Sequence, residues 1–169
     1  DKDYQLAAGI SQDVEADDSI LELTKARLPW LVLALFGGFI SVKIFGLFEP
    51  IMDNHPKLFL FTPLIAAMAG NVGVQSSAII VQGIANNTII GPIIKRLLKE
   101  LSLGLLNGII LSTILFLGSY FMLGFEIHIV YTVSIALFSV IIIASLIGTF
   151  IPIILNKYGI DPALATGPF

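Results

Sequence analysis

Four side-chain amides, Asn71, Gln75, Gln82 and Asn86, recur at intervals of 4, 7 and 4 residues in a run that is otherwise apolar or small. That spacing puts them on one stripe of a helix, with small Ala78 filling the gap. An amide in hydrocarbon is costly unless it is satisfied, so such a stripe has to face protein or water rather than lipid. Two chemistries are open to it. The amides can bond one helix to another, with Gly70 and Gly73 permitting close packing. Alternatively, their oxygens can replace or hold a cation's hydration shell. Pro63, Gly70 and Gly73 are expected to loosen the helix in these turns, Pro63 by leaving a carbonyl near Phe59 without its donor. Oxygen ligands, in a chain with no Cys and 2 His, suit a hard cation such as Mg²⁺ or Ca²⁺ better than zinc. No nucleophile–base constellation, phosphate loop or glycine fingerprint supports an enzyme.

The elements that carry this stripe are dictated by composition. Of 169 residues, 56% are hydrophobic and 12% charged, and the mean hydropathy is +0.95. A soluble domain carries about 25% charged residues. So few charges cannot cover a domain this small, and lipid must be its main solvent. Disorder, a coiled coil and nucleic-acid binding are excluded together. Four apolar stretches exceed or match the roughly 20 residues of helix that cross a bilayer. They run from about Leu28 to Phe48, Leu58 to Ile84, Leu101 to Leu123 and Ile129 to Leu155. Their lengths and lack of alternation favour helices over barrel strands. The connections 49–57, 85–100 and 124–128 are short, so the spans follow one another without an inserted soluble domain.

Charge sets the expected orientation. Lys25 and Arg27 precede span one, Lys95, Arg96 and Lys99 lie between spans two and three, and Lys157 follows span four, whereas the opposite loops hold only Lys57. The N-terminus, middle loop and C-terminus are therefore expected in the cytoplasm. Residues 1–27 hold seven acids and three bases, net −4, and residues 28–169 hold five acids and six bases, net +1. The reading divides the chain into a polar segment, 1–27, and a membrane domain, 28–169. The acidic run is either a solvated linker or a carboxylate surface that gathers divalent cations. The chain starts with Asp and without a signal-peptide pattern, and reads as an excised piece of a longer protein. Gly104-Leu-Leu-Asn-Gly108 is expected to be a packing face with Asn107 bonding across it, and Gly37, Gly38 and Ser41 read the same way. Lys43 is expected to snorkel to the interface, with a counter-ion role as the alternative, Trp30 to anchor at the interface and Pro152 to kink span four, while Glu49 and Asp53 at the outer mouth are either solvated or attract cations.

The run "TPLIAAMAGNVGVQSSAIIVQGIA" resembles the second transmembrane helix of MgtE magnesium channels, whose pattern is Pro-Leu, a glycine-rich turn and then Gly-Asn-x-Gly-x-Gln-Ser. "RLPWLVLALFGGF", "GLFEP", "LLKELSLGLLNG" and "GIDPALATGPF" follow the family in order, so the resemblance extends from Leu28 to Phe169. It implies an all-α, polytopic membrane protein with five helices per subunit, four of them visible here. It also implies a homodimer whose interface encloses one Mg²⁺ pore, in a bacterial inner membrane. Backbone oxygens facing the ion fall on Ala67 and Gly70, beside Asn71 and Gln75, with Val74 on the pore wall. Asp161 matches an acidic residue of a cytoplasmic Mg²⁺-sensing contact, and Leu164 and Gly167 fall at the cytoplasmic constriction. Mg²⁺ is thus expected both as cargo and as a regulatory ligand. Full-length members also carry an acidic N domain, paired CBS domains and a plug helix.

Three departures stand out. The chain stops at Phe169, before the fifth helix and its pore aspartate would follow. The family's Gly-Met-Gly-Gly-Asn turn reads Ala67-Met68-Ala69-Gly70-Asn71, which adds two methyls, and Gly167 replaces an Asn of some members. A Mg²⁺ channel is the leading expectation. A Na⁺- or H⁺-coupled carrier is the alternative, opposed by the apparent lack of an acid within the spans. A non-transporting subunit whose stripe binds a partner helix is a third.

Overall fold

The computed structural model describes residue 5 and residues 10–89 and 91–165. They form five α-helices: α1 (Ile20–Gly46), α2 (Glu49–Asn54), α3 (Thr62–Ala85), α4 (Ile93–Leu117) and α5 (Ile127–Lys157). A 3₁₀ turn, Pro56–Phe61, leads into α3, a π turn, Gly118–Met122, closes α4, and a second 3₁₀ turn, Pro162–Ala165, follows α5. All regular secondary structure among the described residues is helical, as expected, and four of the helices are long and apolar enough to cross a membrane.

The boundaries of span one differ from expectation. A capping box at Ser19 starts α1 eight residues before Leu28: Ser19 Oγ accepts from the Glu22 amide at 3.4 Å, and the Glu22 carboxylate accepts from the Ser19 amide at 3.1 Å. The amphipathic stretch and the span are one helix, continuous through Pro29. Upstream, both the amide and the hydroxyl of Ser11 donate to the Ala26 carbonyl at 2.9 Å, laying the polar segment along α1.

Helix α5 is the centre. It is the most buried of the spans, and α3 and α4 each pack mainly on it rather than on one another. Gly108 and Gly104 of α4 ride on Phe138 and Ser145, so these two helices run in opposite directions. Phe61 at the start of α3 meets Ile129 and Val133 at the start of α5, and Gly73 meets Gly148 a few turns on, so this pair runs parallel. That is the alternation that successive spans require. The apolar cluster of Phe61, Ile129 and Val133, joined by Phe125 with its ring 5.0 Å from Phe61, closes one end. The other end is polar inside, with Ser76, Ser77, Glu100, Ser145 and Thr149 all buried.

Small residues set these contacts, as membrane packing demands. A methyl group at Gly148 would collide with the Gly73 carbonyl, and one at Gly104 would lie 2.7 Å from Ser145 Oγ. The small-xxx-small face of α4 is therefore a packing face, but Asn107 is exposed and has no hydrogen-bond partner among the described residues. A methyl group added at Gly37 or Gly38 would meet nothing within 4 Å, and no residue in the most apolar window of α1 is buried.

Candidate functional site

Helix α3 has two sides. Ser76, Ser77 and Ile80 are buried within the chain, while Ala67, Gly70, Asn71, Val74, Gln75, Ala78, Gln82 and the C-cap residue Asn86 are exposed. The four amides therefore share an uncovered face, as their spacing required. None of their side chains has a hydrogen-bond partner among the described residues. Leu64, Val74 and Ile79 are exposed beside them, so the stripe is a polar seam on an apolar surface. Left against lipid, it would cost free energy at every amide.

The backbone at this seam is not loosened as expected. Pro63 is the second residue of α3, where a missing N–H costs the helix nothing, so the carbonyl near Phe59 is not stranded by a broken interior turn. Gly70 and Gly73 sit within regular helix. The carbonyls of Ala67 and Gly70 remain in the helical ladder, each keeping one further lone pair for an ion or a water. The oxygens most available on the exposed face are thus those of the amide side chains.

The residues carried over near the C-terminus follow α5. Asp161 is exposed, and its Oδ1 accepts from the Ala163 amide at 2.9 Å, capping the Pro162–Ala165 turn. That turn packs back on α5 and α3, with Leu164 half-buried. Gly167 lies outside the described residues. Glu49 and Asp53 are exposed on the short helix α2.

Two groupings were not visible in the sequence. Glu100, assigned above to a connecting loop, lies in the second turn of α4 and is buried, at 7% exposure. Ser76 Oγ donates to its Oε1 at 2.6 Å, and no Lys, Arg or His forms an ion pair with it among the described residues. The expectation that the spans contain no acid is therefore corrected: loop 85–100 is shorter than supposed because α4 begins at Ile93. At the opposite end, His55 and His128 bring their rings to 6.2 Å, and Glu126 lies between Lys57 Nζ at 2.8 Å and His128 Nε2 at 3.4 Å. The hydrogen bond from Lys57, helped by its charge, holds the Glu126 carboxyl below the usual 4.5. Among the described residues no three His, Cys, Asp or Glu side chains are grouped to hold a metal ion.

A family model for MgtE, described as a divalent cation transporter, matches residues 62–169. The chain is 34% identical over 99% of its length to the magnesium transporter MgtE of Bacillus subtilis, and 31% identical over 99% to that of Enterococcus faecalis. It is 29% identical over 96% of its length to that of Thermus thermophilus. It spans 36–37% of the length of these relatives. The family comprises transporters rather than enzymes, and four apolar spans are consistent with multi-pass residence in a membrane. With its signature helix, its order of spans and most of its length matched, the chain belongs to the MgtE family.

Proposed function

We propose that this chain forms the membrane part of a Mg²⁺ channel, and that two copies enclose one pore along the exposed face of α3. The observation that carries the reading is the seam itself: four unpartnered amides on one uncovered stripe of an apolar helix. Mg²⁺ sheds water reluctantly and holds six oxygens at about 2.1 Å, so a path for it has to offer neutral oxygens to a hydrated or partly hydrated ion. Asn71 and Gln75 supply them in this reading, with the carbonyls of Ala67 and Gly70 behind and Val74 on the wall. A second copy covers the seam and removes the cost of leaving it in lipid. Asp161, Leu164 and Gly167 belong to the cytoplasmic gate, where Mg²⁺ acts as a regulatory ligand. The N-terminus is cytoplasmic, by the distribution of Lys and Arg, and the membrane is the bacterial inner membrane.

The test is Mg²⁺ flux into liposomes carrying the purified protein, driven by membrane potential alone, beside Asn71→Leu. The wild type conducts and the variant loses flux while keeping its dimer. Normal flux in the variant removes the stripe from the mechanism. A second reading, a Na⁺- or H⁺-coupled carrier, is favoured by one observation, the buried acid Glu100 within a span. Flux that vanishes without a Na⁺ or pH gradient selects it.

A further inference from the structure

The bond between Ser76 and Glu100 is unlike the others in the core. The helical hydroxyls of Thr24, Ser41, Ser102, Ser112, Thr113, Thr132, Ser139 and Ser145 all donate to carbonyls three or four residues back in their own helix. Ser76 alone among the described residues of the spans reaches another span, donating to Glu100 at 2.6 Å. The bond also joins the two helices that otherwise rest mainly on α5. A carboxyl group is a costly way to fill this space, since burying it away from water is penalised far more than burying an amide or a hydroxyl.

The bond bears on the rotation of α3 in its middle turns. Near its start α3 is held to α5 by side chains, Phe61 and Ile65 against Ile129 and Val133, but farther along Gly73 and Gly148 approach with no side chains to interlock, so the bond from Ser76 adds the specific tie that sets the rotation there. Ser76 directly follows Gln75, and successive residues are about 100° apart around a helix. Anchoring Ser76 toward α4 therefore swings Gln75 and Asn71 out to the uncovered face. A side chain projects about 5 Å from the helix axis, so a rotation of about 20° displaces an amide by roughly 2 Å. That displacement is as long as a Mg²⁺–oxygen bond, about 2.1 Å.

We infer that Glu100 is a positioning residue for ion passage, clamping Ser76 so that Asn71 and Gln75 face the ion path. The inference rests on the path proposed above. Its test uses the same liposomes, reading the half-saturating Mg²⁺ concentration and the preference for Mg²⁺ over Ca²⁺, with melting temperature as the control for folding. Glu100→Gln keeps an acceptor for Ser76 and stays within about twofold of wild type, whereas Glu100→Leu and Ser76→Ala each raise half-saturation about fivefold, the effect of losing one ordinary hydrogen bond. The double variant Ser76→Ala/Glu100→Leu is no worse than either single one, because both remove the same bond. Equal damage in Glu100→Gln and Glu100→Leu overturns the inference and makes Glu100 a cation ligand instead. Additive effects of the two positions overturn it as well. If Glu100→Leu fails to fold, Ser76→Ala against Glu100→Gln decides alone. Asn71→Leu is run in parallel: normal flux there defeats the path itself, while a silent Asn71→Leu with harmless Ser76→Ala defeats only the clamp.

Discussion

Replacing Gly148 by Ala tests whether the contact between α3 and α5 is as close as described. The added methyl would collide with the Gly73 carbonyl oxygen and stand 3.1 Å from the Gly73 carbonyl carbon and Cα. All three atoms are backbone, so no side chain can rotate aside, and the two helices must separate by about an ångström to reach ordinary contact distances of about 3.5–4 Å. Over-packing of this kind costs about 1–3 kcal/mol, and rigid neighbours place it at the upper end. Against that, Ala for Gly inside a helix contributes only about 0.5–1 kcal/mol of stabilisation. The net is a loss of about 2 kcal/mol. Since lipid tails are as apolar as Leu, the loss appears as forfeited packing rather than as the exposure of apolar surface to water. Unfolding of the purified protein in detergent, followed by Trp30 fluorescence and helical circular dichroism, measures it. Two further substitutions calibrate the scale. In Gly104→Ala the nearest atom is Ser145 Oγ at 2.7 Å, which can swing away, so the penalty and the helix gain roughly cancel. In Gly37→Ala nothing lies within 4 Å, and only the gain remains. The predicted order of stability is Gly37→Ala, then Gly104→Ala, then Gly148→Ala. A Gly148→Ala protein as stable as Gly37→Ala would refute the close approach and the positioning of α3 built on it.

Further outcomes follow from the seam and from the outer loop. Gly70→Ala meets nothing within 4 Å in the chain, so it folds at least as well as wild type; reduced Mg²⁺ flux with unchanged melting would locate an ion or a second copy against Gly70, and unchanged flux would remove Gly70 from the path. Glu126 titrates below the usual 4.5 because Lys57 bonds and charges its surroundings. A depressed carboxyl contributes its stabilisation above the unfolded pKa and loses it as pH falls through the folded one. The tie between Lys57 and Glu126 therefore survives acidification past 4.5, and NMR titration of labelled glutamate shows the Glu126 midpoint rising toward 4.5 in Lys57→Met. A midpoint that does not move on removing Lys57 contradicts the assignment.

Much of this protein is legible in its sequence because the relevant signals are local. A span must be about 20 apolar residues whatever it packs against, since backbone groups in lipid have to bond within their own segment. The positions of the four long helices follow from that, and so does the common face of Asn71, Gln75, Gln82 and Asn86, which helical pitch alone determines. The glycines of α4 were readable as a packing face for the same reason. Their partners on α5 were not, because the sequence spacing says which residues share a face but not which helix covers it.

The interior was decided by tertiary structure. That α5 stands at the centre, with α3 and α4 on its flanks, depends on how three surfaces of small residues fit together. Glu100 looked like a loop residue because Lys95, Arg96 and Lys99 precede it, and only the packed helices reveal that its side chain turns inward to Ser76 while those cations go unpaired among the described residues. Pro63 looked like a helix breaker until its place in the first turn of α3 showed it to be a helix starter. His55 and His128, 73 positions apart, meet only because α3 and α5 begin at the same end of the bundle. The sequence by itself determined what each helix must do in lipid, through pitch, length and polarity along one segment. The tertiary structure decided which buried polar groups would find one another, because that depends on the rotation and mutual distance of helices, which no single segment encodes.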